Sequence, residues 1–500
     1  MQHSPVSLLD RARSLFTASN DTRHDFVASV VVFLVALPLC LGVAVASGVP
    51  AELGLITGIV GGLVTGLLPG SSLQVSGPAA GLTVLVYEAV QEYGLAALGA
   101  LVLVAGVLQL VMGFLRLGRL FRAISVAVVE GMLAGIGLVL VAGQLYVMTD
   151  SEAPASGLGK IAGLPGMLTG VFGSERALTA FGLGMGTITV LVLWNRLPAK
   201  LRVVPAQLGA VVLATGASLA LSLPVATVEV QGLIEAVRMP DAAGFGGLMS
   251  LGALGTVLAF ALIASAESLF SAAAVDRMHE GPRTSYDKEL IAQGAGNTVC
   301  GLLGALPMTA VIVRSATNVQ AGARTKASRV LHGVWLLLFA ALLPAALGLI
   351  PVAALAGVLV HAGCKLIPVR QLAKLWREHR GEAVVLVVTA VAIVSVNMFE
   401  GVLIGLALAV IKIAWETPRV HVAVVDKGAG PVHVHLSGQA TFLCLPKLLD
   451  ALEALPQDRQ IELEIAGLWH LDHACRTSLE NWAARHSAEG TDPVRVASRG

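Results

Sequence analysis

The feature that most constrains this chain is a nearly continuous series of apolar stretches between residues 26 and 416. A helix needs about 20 mostly apolar residues to cross the hydrocarbon core of a bilayer, or about 17 when it is short. Fourteen stretches meet this requirement or come close to it: 26–47, 51–68, 73–92, 95–115, 123–148, 178–195, 202–223, 250–275, 288–304, 306–323, 329–349, 351–367, 382–397 and 399–416. Charged residues are only 13% of the chain, against about 25% in soluble domains. The sequence therefore predicts an all-α polytopic membrane protein and excludes a soluble globular fold.

Three further regions complete the membrane part. Residues 155–173 are apolar but short and rich in glycine, so they are not counted as a span, and residues 225–249 are predicted to form an ordered outer loop. Residues 1–24 contain no short apolar stretch that ends in a small-residue cleavage site. They are therefore predicted to remain as a cytosolic segment rather than to act as a signal peptide.

Positive charges in the short loops predict the orientation, because cytoplasmic loops carry an excess of Lys and Arg. With the N-terminus inside, the inner loops contain Arg116, Arg119, Arg122, Arg196, Lys200, Arg202, Arg277, Arg283, Lys288, Arg324, Lys326, Arg329, Lys365, Arg370, Lys374, Arg377 and Arg380. The outer loops contain only Lys160, Arg176 and Arg238. This bias predicts a multi-pass protein of the cell membrane with both termini in the cytoplasm.

The composition changes after Pro418, where the chain becomes polar and alternates in the manner of strands. A strand, a helix, a strand and a further helix are predicted in turn, which indicates a compact α/β domain. The predicted domains are the N-terminal segment 1–24, the transmembrane transport domain 25–417, the cytosolic domain 418–492 and the tail 493–500.

Two stretches differ from ordinary spans. Residues 73–92 begin with a polar, β-prone run before Gly77 and Pro78, and residues 306–323 begin with Pro307 and a β-branched run. Extended backbone at bilayer depth must pair within the protein or line a cavity. The two segments lie seven spans apart, and interrupted helices at corresponding positions of two halves indicate a transporter site between inverted repeats. Seven spans is an odd number, so the second half must be inverted.

Two half-helices whose N-termini meet at mid-membrane favour an anion, because backbone N–H groups and positive dipole ends converge there. The candidate donors are the amides of Ala79, Ala80 and Gly81 in one segment and of Ser315 and Ala316 in the other. Arg314 is the only Lys or Arg that the pattern places deep in a span, and an intramembrane charge is a functional candidate by default.

A carboxylate is the expected partner of that charge. Glu267 lies in the middle of the span 250–275, with Ser268 beside it and Ser271 one turn further on. It is predicted either to neutralise Arg314 when the site is empty or to bind a coupling proton or sodium ion. A structural ion pair with Arg314 is the alternative.

The sequence resembles the SulP-type inorganic anion permeases, from about residue 24 to the C-terminus. The resemblance is carried by the stretches DFVASVVVFLVALPLCLGVAVASG, LQVSGPAAGLTVLV, ESLFSAAAVDRM, ELIAQGAGN and LPMTAVIVRSATNVQAGARTK. It implies fourteen spans as 7+7 inverted repeats in core and gate bundles, an elevator-like movement, a homodimer and a C-terminal STAS domain.

The resemblance also implies which residues bind the anion. In the family the anion lies between spans 3 and 10, flanked by spans 1 and 8. The matching positions here are Ser76, Gly77, Ala79, Ala80, Glu267, Ser271, Val313, Arg314 and Ser315, with the aliphatic Leu39 and Val43 in span 1.

Sodium-coupled bicarbonate members resemble this chain but surround their ion with hydroxyls and an aspartate. The matching positions here are Ala79, Glu267, Ser271, Ala310 and Ile312. Because a hard cation needs several oxygen ligands, a proton on Glu267 is favoured over sodium as the coupling ion. Similarity to permeases associated with carbonic anhydrases favours bicarbonate, and sulfate and dicarboxylates stay open.

The C-terminal resemblance to STAS rests on LWHLDHACRTSLENW at 468–482. The Ser or Thr that is phosphorylated in some STAS domains has no counterpart directly after Asp472, because His473, Ala474 and Cys475 follow it. A metal site at His470, Asp472 and His473 is less favoured than a helix capped by Asp472.

The leading prediction is secondary active transport of a small inorganic anion, bicarbonate or sulfate. An anion channel, a dicarboxylate transporter and a sensor that signals through the STAS domain are the alternatives. The sequence contains no P-loop, no HExxH motif and no plausible catalytic triad, so an enzyme is not predicted. The five cysteines are far apart, so neither a metal nor a redox cofactor is predicted. A net charge of +1 gives no field that would recruit nucleic acid. The predicted partners are therefore the anion, a co-transported proton, membrane lipid and a second copy of the chain.

Overall fold

A computed structural model describes most of the chain. The described residues are 19–119, 125–198, 204–230, 232–241, 245–246, 248, 250–416, 420–426, 428, 430–441, 444–456, 459–489 and 495–497. They form two compact units, Met1–Gly405 and Leu406–Gly500. Most of the segment 1–24 and the loop residues Arg122, Lys200 and Arg202 lie outside the described residues. The predicted tail 493–500 is described only at 495–497, where it forms a strand of the second unit and not a tail.

The first unit is built almost entirely from helices. In chain order they are α1 (Ser19–Ala46), α2 (Ala51–Val60), α3 (Thr83–Tyr93), α4 (Leu95–Phe114), α5 (Val126–Met148), α6 (Gly157–Val171), α7 (Glu175–Leu193), α8 (Ala206–Ala220), α9 (Leu251–Val275), α10 (Tyr286–Leu302), α11 (Ile312–Gln320), α12 (Ala327–Leu342), α13 (Pro344–Leu347), α14 (Val352–Leu366), α15 (Val369–Glu378), α16 (Arg380–Ser395) and α17 (Met398–Glu416), which continues into the second unit. Each predicted span contains one of these helices or one of the two interrupted segments.

By length and composition alone, six helices among the described residues could cross a membrane. Shorter apolar helices accompany them, including 206–220 and 327–342. The region 155–173, which the sequence pattern did not count as a span, contains helix α6. The hydroxyl of Ser156 caps this helix by accepting a hydrogen bond from the amide of Gly159 at 3.0 Å.

The two interrupted segments contain the only strands described in the first unit. Strand β1 (Ser76–Pro78) precedes a short 3-10 helix (Ala80–Leu82) that leads into α3, and strand β2 (Met308–Ala310) precedes α11. The strands pair antiparallel, with Ser76 opposite Ala310 and Pro78 opposite Met308. Segments that are far apart in the sequence are therefore joined at the centre of the helical unit.

Small residues allow the helices around this strand pair to pack closely. A Cβ atom at Gly62, in the π-helical turn Gly61–Thr65 after α2, would overlap the backbone of Gly333 in α12. Close backbone approach through glycine is typical of helices packed within a membrane. It holds α12 against α2 and its π-helical turn, and Gly58 and Gly61 of that segment in turn lie against β1.

The second unit contains a mixed sheet. Among its described residues the strand order is β3 (Val420–Val425), β4 (Val432–Ala440), β5 (Ile461–Leu471) and β6 (Arg495–Ala497), with β3 antiparallel and the other pairs parallel. Helices α18 (Leu445–Glu453) and α19 (His473–Glu489) complete it. Buried side chains of β4, β5 and both helices form its core: Val432, Val434, Leu436, Leu448, Leu452, Ile461, Leu463, Leu479 and Trp482.

Two details of this unit bear on the sequence predictions. Asp472 caps the start of α19, since its Oδ1 accepts a hydrogen bond from the amide of Cys475 at 2.7 Å. Burial first, and then the neighbouring Asp472 and Cys444, raise the pKa of the Cys475 thiol to about 12. That thiol is therefore protonated at neutral pH and acts as a small apolar side chain.

Candidate anion site

The centre of the site is the paired strands together with the helices that begin directly after them. Ala79, with φ −110° and ψ 137°, separates β1 from the 3-10 helix, and Val311, with φ −104° and ψ 119°, separates β2 from α11. No side chain forms a cap hydrogen bond at either helix N-terminus. Two uncapped helix N-termini therefore face the same strand pair, an arrangement that attracts negative charge.

The structure corrects one set of the predicted amide donors. Helix α11 begins at Ile312, and the amide of Ser315 already donates to the carbonyl of Val311 at 3.0 Å. The N–H groups without an intrahelical partner belong to the first turn of a helix. In this segment they are those of Ile312, Val313 and Arg314, rather than those of Ser315 and Ala316.

Arg314 is buried next to the paired strands. Its side chain is 1% exposed, and its Nη2 donates to the carbonyl oxygen of Pro78 at 3.2 Å. Its Nε and Nη1 have no hydrogen-bond partner. A Cβ atom at Gly77 would overlap Nη1, so the absence of a side chain at Gly77 makes room for the guanidinium. A cation with two unused donors is therefore held against β1.

Glu267 approaches the same segment at a different point. A Cβ atom at Gly81 would overlap its carboxylate, and the Oε2 of Glu267 is buried without a hydrogen-bond partner. No ion pair within 4.0 Å joins Glu267 to Arg314, both of which lie in the described part of the chain. The expected pairing of these charges is therefore wrong for this structure, because each contacts a different glycine, Gly81 or Gly77.

The serines that the sequence placed at the site are used mainly within the protein. The hydroxyl of Ser315 accepts from the amide of Val75 at 2.9 Å and donates to the carbonyl of Val311 at 2.8 Å. The hydroxyl of Ser76 accepts from Nε2 of Gln293 at 2.7 Å. Ser271 is buried in α9. Ser268 accepts from the amide of Ala310 at 3.1 Å and so supports β2.

The remaining candidates form the apolar lining. Ala79 is buried and Ala80 is half-buried, whereas Val313 is 44% exposed at the start of α11. In span 1, Leu39 and Val43 are both buried. These side chains contribute no polar group, so the polar contacts for an anion come from backbone amides and Arg314.

Several buried polar side chains that the sequence pattern did not single out support the extended segments. Gln74 donates to the carbonyl of Ser268 at 2.7 Å, and Asn318 donates to that of Leu73 at 2.9 Å. For Gln74 the signal in the sequence is an amide side chain just before the Gly77–Pro78 break; Asn318 has no such local signal. They satisfy backbone groups that would otherwise be unpaired at membrane depth.

Arg329 was expected in an inner loop but lies in the first turn of α12, 2% exposed. Its guanidinium donates to the carbonyls of Gly66 and Leu68 at 3.0 Å each, and to those of Gln74 and Thr65 at 3.3 and 3.4 Å. Arg329 thus satisfies carbonyl groups of the segment between the π-helical turn and β1 and holds that segment against α12. Arg314 is therefore not the only fully buried arginine, but of the two in the described part of the chain it is the one with nitrogen atoms that have no hydrogen-bond partner.

Comparison with known proteins places this arrangement in a family. A model described as the sulfate permease family matches residues 22–389. The chain belongs to the sulfate permease family. As a member of that family it is a membrane anion transporter and not an enzyme.

Curated relatives of this permease include transporters named for two different anions. The putative sulfate transporter YvdB of Bacillus subtilis is 28% identical over 416 residues, which cover 80% of the permease and 75% of YvdB. The bicarbonate transporter BicA of Picosynechococcus is 30% identical over 377 residues, which cover 69% of the permease and 62% of BicA.

Solved structures confirm the fold of the permease. Murine Slc26a9, an anion transporter in its inward-facing state, has a TM-score of 0.81 at 15% identity, covering 98% of the permease and 87% of that chain. The transmembrane domain of a cyanobacterial BicA has a TM-score of 0.66 at 24% identity, covering 79% and 98% respectively. At these identities the likeness concerns the fold alone.

Proposed function

We propose that this permease is a secondary active transporter of a small inorganic anion, bicarbonate or sulfate. The observation that carries the proposal is the pair of uncapped helix N-termini on either side of β1 and β2, with Arg314 buried beside them and two of its nitrogen atoms unpartnered. The anion is held there by the amides of Ala80 and Gly81 and of Ile312 and Val313. Ser76, Gly77, Ala79 and Ser315 shape the backbone of this site, and Arg314 supplies its positive charge.

The chemistry of the site favours a compact oxyanion. Backbone N–H groups and a guanidinium bind oxygen atoms through charge-assisted hydrogen bonds. Bicarbonate and sulfate both offer such oxygens, and the names of BicA and YvdB support these two candidates. The aliphatic Val313 offers no group to a second, distant carboxylate, so a dicarboxylate is less favoured.

The proposed transport mechanism uses the two interrupted segments as one moving site. The helices form fourteen spans as 7+7 inverted repeats, and the bundle that carries β1 and β2 moves as an elevator against the gate bundle. The likeness in fold to Slc26a9 supports this proposal. We propose further that the protein is a homodimer of the cell membrane with both termini cytoplasmic, a transmembrane domain at 25–417 and a cytosolic STAS domain at 418–492.

A proton is the proposed coupling ion, and Glu267 with the nearby Ser271 is its site. The Oε2 of Glu267 is buried with no hydrogen-bond partner, and a carboxylate in such a place is costly unless it is paired or protonated. The absence of an ion pair with Arg314 leaves protonation as the simplest way to neutralise it.

The test is uptake into proteoliposomes of labelled bicarbonate, sulfate and fumarate in parallel. Each anion is tested with an inward proton gradient, an inward sodium gradient, or neither, for the wild type and for Arg314→Ala. Arg277→Ala, which removes an exposed arginine near the end of α9, is the matched control. We expect saturable, proton-stimulated uptake of bicarbonate or sulfate that is lost in Arg314→Ala and kept in Arg277→Ala.

Other outcomes have definite meanings. Sodium-stimulated uptake at fixed pH would contradict the proton proposal. A large conductance without coupling would identify an anion channel, and binding of the anion without its movement would identify a sensor. Uptake in Arg314→Ala equal to the wild type would remove Arg314 from the site.

A further inference from the structure

Helix α10 carries three buried polar side chains spaced one turn apart. Glu289, Gln293 and Asn297 are at positions i, i+4 and i+8, so they lie along one face of the helix. All three are buried. Each forms hydrogen bonds with an interrupted segment or with the residues that lead into it. This face is called the α10 stripe below.

At the first position, Glu289 is fully buried and both of its oxygens accept hydrogen bonds. Its Oε2 accepts from the amide of Ser71 at 2.7 Å, and its Oε1 accepts from Nε2 of Gln293 at 2.8 Å. A carboxylate can only accept hydrogen bonds. It therefore fixes which end of the Gln293 amide points towards it.

At the second position, the oriented amide of Gln293 forms a hydrogen bond with β1. The same Nε2 of Gln293 donates to Oγ of Ser76 at 2.7 Å. An amide nitrogen has two hydrogens and no acceptor capacity, so one hydrogen goes to Glu289 and the other to Ser76. The Oγ of Ser76 therefore accepts this hydrogen bond, which links β1 to α10.

At the third position, Asn297 forms with β2 the hydrogen bonds that a neighbouring strand would form. Its Oδ1 accepts from the amide of Met308 at 2.7 Å, and its Nδ2 donates to the carbonyl of Met308 at 3.1 Å. Nδ2 also donates to Oε1 of Gln109 at 2.7 Å. The backbone N–H and C=O of Met308 are thereby paired at the edge of β2, where no further strand follows.

We propose that the α10 stripe positions both strands of the anion site, and that Gln293 acts on anion binding through Ser76. The inference rests on the proposed function, since it assigns a positioning role for the same site. Helix α10 does not contribute an N-terminus to the site. Its stripe instead sets the distance between the two N-termini, because one side chain contacts β1 and another contacts β2.

The test compares Gln293→Leu, Ser76→Ala and the double variant by the KM and Vmax of anion uptake. We expect each single variant to raise KM about tenfold with Vmax little changed, as for loss of a buried hydrogen bond. We expect the double variant to raise KM no further, because residues that act through each other are not additive. Thr389→Val is the matched control, since Thr389 is also buried and its hydroxyl bonds only within its own helix.

A second measurement does not depend on transport. Hydrogen exchange of residues 71–78 should be faster in Gln293→Leu than in the wild type, and unchanged in Thr389→Val. If Gln293→Leu does not fold, Glu289→Gln serves in its place, because it keeps an acceptor for the amide of Ser71 but lets the Gln293 amide rotate.

The outcomes separate the two proposals. A KM that is unchanged in Gln293→Leu, an additive double variant, or an equal rise in Thr389→Val would overturn the positioning role. If the wild type moves no anion, the proposed function fails, and the exchange of residues 71–78 decides the positioning role by itself. Faster exchange then supports it, and unchanged exchange overturns it.

Discussion

Alanine at Gly77 tests whether the guanidinium of Arg314 is held against β1. Gly77 lies in extended backbone, which alanine also adopts, so the substitution causes no backbone strain. The added methyl would overlap Nη1 of Arg314 and lie 3.3 Å from its Cζ, while the next neighbour, Cα of Gly58, is 3.6 Å away. The obstacle is therefore the guanidinium, which must move.

The size of the effect follows from the contact that is lost. Moving the guanidinium breaks its hydrogen bond to the carbonyl of Pro78, and hydrogen bonds to charged groups contribute about 1.5–3 kcal/mol. If that energy positions the cation for the anion, Vmax/KM should fall by about 10- to 150-fold, at a factor of ten for each 1.4 kcal/mol. Gly216→Ala in α8, where a Cβ would meet no atom within 4 Å, is the control and should have no effect.

The assay is initial-rate uptake into proteoliposomes for Gly77→Ala, Arg314→Ala and the double variant. Because Gly77→Ala acts by displacing Arg314, the double variant should be no slower than Arg314→Ala alone. Wild-type uptake in Gly77→Ala, or a further loss in the double variant, would refute the reasoning.

Two further predictions concern the carboxylate and the movement. Gly81→Ala would place a methyl on the carboxylate of Glu267, so it should abolish the dependence of uptake on a proton gradient, as Glu267→Gln should; retained dependence would contradict this role. The Lys160 ammonium lies 4.8 Å from the centre of the Tyr87 ring, joining α6 to the site-bearing α3. If the bundles slide, a reversible crosslink between cysteines at Tyr87 and Lys160 should stop uptake until it is reduced. A crosslink of the same length between cysteines at Gly143 in α5 and Lys160 in α6, where Cδ of Lys160 lies 3.7 Å from a Cβ built at Gly143, should leave uptake intact; equal uptake in both would argue against an elevator.

The interrupted segments could be predicted from the sequence because their signal is local. Pro78 and Pro307 break otherwise apolar runs, and β-branched residues follow or precede them. Backbone chemistry in a membrane then requires these segments to pair, and the structure shows them paired as β1 and β2. Arg314 could be identified because it is the only Lys or Arg that the pattern places deep in a span, seven residues after Pro307.

The contacts of the buried charged and polar side chains could not be predicted in the same way. Arg329 lies at the edge of an apolar stretch, and nothing in the local sequence distinguishes a loop arginine from one that turns inward to bind four carbonyls. The pairing of Glu267 with Arg314 was wrong because sequence gives the depth of a side chain but not the direction from which it approaches. The α10 stripe has a visible spacing, but two of its partners, Ser71 and Ser76, come from a segment more than 200 residues away.

The positions of Arg314 beside Gly77 and of Glu267 beside Gly81 suggest a physical basis for the proposed coupling of an anion to a proton. Arg314 contacts the segment at Gly77 and Glu267 contacts it at Gly81, so an anion bound beside this segment lies near both. Coulomb repulsion between the anion and a carboxylate is strong in a low-dielectric interior, so a bound anion favours the neutral form of Glu267. By linkage the neutral carboxyl must favour the anion to the same extent. The dissociation constant of the anion, measured in detergent without any gradient, should therefore rise as the pH is raised and become independent of pH in Glu267→Gln. A pH dependence that persists in that variant would show that another group carries the proton.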